Sequence, residues 1–240
     1  MKFNTNSNTY IITYSVVMVV IVAVLLSVAA LGLKPRQEAN MLNEKKTQIV
    51  KALGEDPATV AYDSVIAKAV VLDASGAVVS EDVNDVFAAL NDLKGSFAAG
   101  RFPLFVANNG VVVPLYGAGL WGPIWGYIAL DADMNTVKGI VLDHSGETPG
   151  LGAEITTPKH QALYPGKTVY EGDAIVGVTL KKGGADKSNP HEVDAITGGT
   201  KTSDGVTAMI SDCLNYYKPY FDAARAAATE VEAESNTIHE

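Results

Sequence analysis

From Tyr10 to Leu33 the chain carries no charged side chain, and Val, Ile, Leu, Met and Ala dominate the run. Coiled as a helix, a run of this length crosses about 30 Å of hydrocarbon. We read residues 10–33 as one transmembrane helix behind a short N-terminal tail, residues 1–9. A cleaved secretory signal has a shorter apolar core and a more basic start than Lys2 alone, and Ala30-Leu31-Gly32 only weakly imitates its cleavage site. With 240 residues in all, the remainder has room for one globular domain of ordinary size and excludes a large multidomain enzyme.

Charge bounds the partners. Lys34, Arg36, Lys45, Lys46 and Lys51 follow the span while only Lys2 and the amino group precede it, so the positive-inside rule taken alone puts the large domain in the cytoplasm. The net charge of -9 argues against docking on nucleic acid or on anionic lipid surfaces. Cys213 is the only cysteine, so no intrachain disulfide exists, and its helical spacing predicts a small core residue.

Residues 34–62 read as a helical connector, because Met41, Leu42, Ile49 and Leu53 recur near helical spacing and Gly54 is a stop. Beyond it the texture changes to short apolar runs broken by turn residues. Val65–Leu72 and Ala77–Val79 flank Asp73-Ala74-Ser75-Gly76 as a hairpin, Asp82–Leu93 reads as a helix, and Leu104–Ala107 with Val111–Leu115 flank the turn Asn108-Asn109-Gly110. Trp125–Leu130 and Val137–Leu142 form another strand pair, Ala174–Leu180 a further strand, and a helix from about Asp204 to Tyr217 closes the domain. The pattern predicts an α+β fold over residues 63–228, a largely antiparallel sheet with flanking helices, followed by a polar tail at residues 229–240.

Several motifs mislead. Gly117-Ala118-Gly119-Leu120-Trp121-Gly122 satisfies the dinucleotide fingerprint in letters, but that fingerprint must open a helix, and here Pro123 and a strand follow. Pro165-Gly166-Lys167-Thr168 resembles the end of a P-loop, yet Gln161 stands where its first glycine belongs. Asp143, His144 and Ser145 are consecutive and cannot form a hydrolytic triad among themselves. The four histidines show no metal-ligand spacing, and we assign neither a metal nor a catalytic residue.

The stretch from Asp194 to Ser203 carries more information. Gly198 and Gly199 let the backbone approach a bulky group, Thr197, Thr200, Thr202 and Ser203 offer hydroxyls, and the helix that follows presents free amides suited to an anion. On chemistry alone these residues serve equally as ordinary caps and turns.

Asp194 with Thr197-Gly198-Gly199-Thr200 and Thr202 resembles the motif in which a threonine carries FMN through a phosphoester bond, with Thr200 as acceptor and Gly199 where alanine is commoner. Tyr116–Gly122 resembles the aromatic glycine loop, and His144–Gly152 the Glu-Thr-Pro-Gly-Leu-Gly loop, of the C subunit of the Na+-translocating NADH:quinone reductase. The related G subunit of the Rnf complex shares the Glu-Thr-Pro-Gly-Leu-Gly and threonine motifs, but Gly119-Leu120-Trp121 and the long segment before it favour the quinone reductase. Without the resemblance, the glycine loops fit equally a noncatalytic, membrane-anchored binding or assembly module.

The resemblance implies a covalent-FMN electron carrier that is not catalytic alone, held with the other reductase subunits in a bacterial inner membrane. It implies a flavin transferase as a further partner and a periplasmic domain, against the charge bias. By the same resemblance Thr197, Gly198, Gly199 and Thr202 surround the phosphate end, Leu120 and Trp121 pack near the ring, and Glu147, Thr148, Gly150 and Leu151 form a second wall. Lys182 is a cationic contact to the phosphate or the reduced ring.

Overall fold

The computed structural model describes residues 7–237, with side chains to residue 227. The chain divides into two units, Met1–Lys46 and Thr47–Glu240. Helix α1 runs from Asn8 to Ala52 without a break, so the expected span and the first part of the expected connector are one helix with Pro35 inside it, while residues 53–61, expected to be helical, are turns and irregular chain. Its apolar section has a mean hydropathy of 3.1 and is long enough to cross a membrane. The side chains of this section are exposed, as a lipid-facing helix requires.

The second unit begins upstream of the expected boundary at residue 63. Ile49, Val50, Ala52 and Leu53 are buried in its core, which is why it starts at Thr47. After the short helix α2 (Tyr62–Val65) come strands β1 (Ile66–Leu72) and β2 (Val78–Ser80), helices α3 (Val83–Asn91) and α4 (Leu93–Ala98), and strands β3 (Phe102–Ala107), β4 (Gly110–Ala118), β5 (Pro123–Leu130) and β6 (Val137–His144). All six strands form one antiparallel sheet in the order β2-β1-β3-β4-β5-β6. The predicted hairpins therefore stand where expected. Asp82 caps α3 by accepting from the Asn84 amide, and Asp92 starts α4, a second helix that the periodicity does not resolve.

Both faces of the sheet are covered, so its strands read as nearly continuous apolar runs. Along β4 the side chains alternate: Val111, Val113 and Leu115 join one core and Val112 the other. The first core is completed by Val206, Met209, Ile210, Cys213, Leu214, Tyr217 and Phe221 of helix α6 (Thr200–Thr237), whose three- and four-residue spacing aims one stripe at the sheet. The second is completed by the end of α1 and by Val86, Phe87, Ala89 and Leu90 of α3. Cys213 is buried as predicted, and burial pushes its thiol up to about 12.

Between β6 and α6 the chain forms a short 3-10 turn (Gly152–Thr156), helix α5 (Pro158–Gln161) and four small strands: β7 (Tyr170–Glu171), β8 (Ala174–Ile175), β9 (Thr179–Lys181) and β10 (Glu192–Asp194). The single strand expected over Ala174–Leu180 is two. Gly177 turns the chain at φ +70, and the amides of Val176 and Gly177 both donate to the Val169 carbonyl. β10 lies parallel to β9, a pairing that the apolar pattern does not reveal.

Helix α6 also departs from expectation. It begins at Thr200 rather than near Asp204, because the Thr202 and Ser203 hydroxyls, which suggest a loop by composition, have partners elsewhere in the fold. It runs on to Thr237 through Ala- and Glu-rich sequence of high helix propensity, so the expected polar tail is helical as far as it is described. Residues 238–240 of that tail lie outside the described residues.

Tyr217 fixes α6 to the sheet. It is fully buried, and its hydroxyl donates to the Pro103 carbonyl at 2.8 Å. Burial holds the phenol far above its usual range, so it remains a donor at any physiological pH. Tyr217→Phe removes this buried bond, and a loss of about 0.5–1.5 kcal/mol is expected, read as a lower melting temperature of the detergent-solubilised chain. An unchanged melt would show that the bond contributes nothing.

Candidate functional site

Three loops meet at the start of α6. The first is Gly119–Gly122, between β4 and β5; Tyr116, Gly117 and Ala118, which the motif puts in the same loop, belong to β4. The strand–turn–strand context agrees with setting aside a dinucleotide fingerprint here. The second is Ser145–Leu151, after β6, and the third is Ala195–Gly199, between β10 and α6.

Glu147 joins them. Its carboxylate is only 4% exposed. One oxygen accepts from the Trp121 amide at 2.9 Å and the other from the Thr202 hydroxyl at 2.5 Å. Its own amide donates to Nδ1 of His144 at 3.1 Å. Gly119 and Gly152 flank the carboxylate so closely that a Cβ at either position would strike it, and at Gly152 would strike the Thr202 hydroxyl as well. Burial by itself would raise the Glu147 carboxyl, but the Thr202 hydroxyl and the amides of Trp121 and Leu120 outweigh it, and the group is held below the ordinary glutamate range.

The loop before α6 is ordered from within. Gly198 adopts φ +76, a conformation suited to glycine, and an added Cβ would meet the Leu151 side chain at 2.6 Å. Leu151 thus lies directly over the turn. The Ile196 amide donates to the Ser203 hydroxyl at 3.1 Å, and the Ser203 amide donates to the Gly199 carbonyl at 2.9 Å.

This order sorts the four hydroxyls that composition leaves equivalent. Thr202 and Ser203 are each 1% exposed, and both are engaged. Thr197 is exposed in the turn before the helix. Thr200 is the first residue of α6, half-buried, and its side chain makes no hydrogen bond among the described residues.

Apolar surface accompanies the loops. Leu120, Trp121 and Leu151 are 53%, 68% and 41% exposed, three large apolar side chains on two of these loops. Thr148 and Gly150 border the same surface on the second loop, where the Thr148 carbonyl accepts from the amides of Leu151 and Ala153. Lys182 lies exposed in the turn after β9 and takes no part in the Glu147 network.

A cleft of about 400 Å3 adjoins the loop before α6, lined by Gly150, Thr157, Lys159, His160 and the stretch Asp194–Thr197. His160 is buried against the Tyr164 hydroxyl at 3.1 Å, and burial lowers it to about 4, so it is neutral at physiological pH. Gly150 and Asp194–Thr197 belong to the two loops marked in the sequence, whereas Thr157, Lys159 and His160 carry no motif and join them only in the fold.

A carboxyl held below its unfolded value stabilises the fold fully above that value and gives up the contribution as pH falls through the folded one. Glu147→Gln is therefore expected to cost about 1–3 kcal/mol at pH 7, and the gap to the parent should close as pH falls below about 4. Circular dichroism melts across pH test this; a gap that ignored pH would contradict it.

The comparisons with known proteins agree with this geometry. Residues 119–215 match the model of the FMN-binding domain family, a range that takes in all three loops and the first half of α6. The C subunit of the Na+-translocating NADH-quinone reductase of Pseudomonas aeruginosa is 31% identical, with 96% of this chain and 99% of that one covered. A crystal structure of the corresponding protein from Parabacteroides distasonis superposes with a TM-score of 0.72 at 34% identity, covering 79% of this chain and 96% of that one. The protein from Shewanella oneidensis superposes at 0.65 with 28% identity, covering 78% and 99%. At 31% identity over nearly the whole of both chains, and with the same fold as the solved structures, the chain belongs to the C-subunit family of the Na+-translocating NADH-quinone reductases.

Proposed function

We propose that the chain is the FMN-carrying subunit of a membrane Na+-translocating NADH:quinone reductase, with the flavin held through a phosphoester to Thr200. The observation that carries this reading is the sorting of hydroxyls: Thr202 and Ser203 are buried and engaged, while Thr200 stands at the first position of α6 with its side chain uncommitted. The start of a helix favours an attached phosphate, because the first-turn amides have no partners within the helix and the macrodipole is positive there.

The residues present fit the group. Gly198, Gly199 and the adjacent amides would receive the phosphate, with Thr197 beside them. The exposed side chains of Leu120, Trp121 and Leu151 offer apolar surface for a flat ring and would exclude water from it. Thr148 and Gly150 adjoin that surface, and Lys182 is a more remote cation. Thr202, the further hydroxyl of the motif, stands at the same helix start and donates to Glu147. When bound, FMN supplies the redox chemistry, and the protein fixes its position and adjusts its potential.

In this reading the protein passes electrons between redox centres of the complex and turns over no substrate alone. A flavin transferase, using FAD as donor, attaches the cofactor. The apolar section of α1 anchors the chain in a bacterial inner membrane, beside the other subunits, with the globular domain on the periplasmic side.

Thr200→Val keeps the β-branched shape and removes the hydroxyl. Co-expressed with a flavin transferase, this variant is expected to fold with an unchanged circular dichroism spectrum and to show no flavin fluorescence after denaturation and washing. Fluorescence retained on the denatured variant would place the attachment elsewhere.

A further inference from the structure

Glu147 is a wall residue by resemblance, yet both its carboxylate oxygens are already occupied by protein donors, the Trp121 amide and the Thr202 hydroxyl. Through those two contacts it reaches both the apolar loop and the start of α6. Trp121 belongs to the exposed apolar loop, and Thr202 lies two residues beyond Thr200 in the first turn of α6. Among the described residues no lysine or arginine forms an ion pair with Glu147, so dipoles rather than a fixed countercharge balance it. At 4% exposure little water reaches the carboxylate to screen its field.

Resting on the reading of Thr200 above, we propose that Glu147 is a positioning residue with an electrostatic role: its carboxylate ties the Leu120–Trp121 loop to the start of α6 and lowers the reduction potential of a flavin carried on Thr200. Reduction adds electron density to the ring, so a nearby fixed anion disfavours the reduced form. The two neighbours of the carboxylate modulate the effect. The Thr202 hydroxyl points its positive end at the carboxylate and partly offsets the charge.

The two sides of this pair can be removed separately, with opposite consequences. Glu147→Gln keeps the shape and deletes the charge, and the flavin potential is expected to rise. Thr202→Val keeps the charge and deletes the balancing hydroxyl, and the potential is expected to fall. A merely structural disturbance of the loops would not move the two variants in opposite directions.

The experiment is a redox titration at pH 8 of the full-length parent and both variants, co-expressed with a flavin transferase, purified in detergent and checked for the adduct by mass. Opposite shifts support the proposal. Shifts in the same direction, or none, with the adduct present overturn it and leave the Thr200 reading intact. If Glu147→Gln accepts no flavin, Thr202→Val alone decides: a fall supports the proposal, and a rise or no change overturns it. A parent without adduct on Thr200 in this host would overturn the reading of Thr200 and this inference with it.

Discussion

A buried carboxylate with donors from two other segments holds the site together. Short loops that share no backbone ladder ordinarily move independently. Here Glu147 accepts from the loop after β4 and from the first turn of α6, while His144 at the end of β6 fixes its own backbone. Two glycines leave room for that arrangement, since a methyl group at position 119 or 152 would displace the carboxylate. Unpaired, the same group would be a burden, because a buried charge without donors costs several kcal/mol or takes up a proton.

The sheet makes the meeting of these loops possible. β4, β5 and β6 are consecutive antiparallel neighbours, so the turn after β4 and the exit from β6 lie at one end of the sheet. α6 packs across the same strands, with Met209 and Cys213 against the region of Gly117 and Tyr116, and this brings its first turn to that end. The core thus determines where Thr200 stands. A hydroxyl on a fixed helix start keeps its geometry better than one on a mobile loop, as the flavin attachment proposed for Thr200 would require.

Much of the scaffold is legible in the residues, for identifiable reasons. The hairpin strands are apolar on both faces and end at strong turns such as Asn108-Asn109-Gly110, so periodicity and punctuation agree. The uncharged run from Tyr10 lies within one helix long and apolar enough to cross a membrane. The start of α6 escapes a reading by composition because Thr and Ser are weak helix formers whose hydroxyls compete with the backbone, and the partner that settles Thr202 lies 55 positions away. The break at Gly177 depends on two amides converging on Val169, again a tertiary fact. For the site, composition offers four hydroxyls and the motif resemblance points to Thr200; the fold adds that Thr202 and Ser203 are buried and engaged. The role of Glu147 is likewise hidden, since nothing in the local sequence shows that both of its oxygens are engaged.

That Thr200 carries FMN is the central claim, and peptide mass analysis of the unsubstituted chain's denatured digest tests it most directly. The protein should be taken from a host that flavinylates its own subunits. The predicted result is an FMN-sized addition on the peptide containing Thr200, with fragmentation placing it on that residue and not on Thr197 or Thr202. A peptide recovered only in its unmodified mass would contradict the claim.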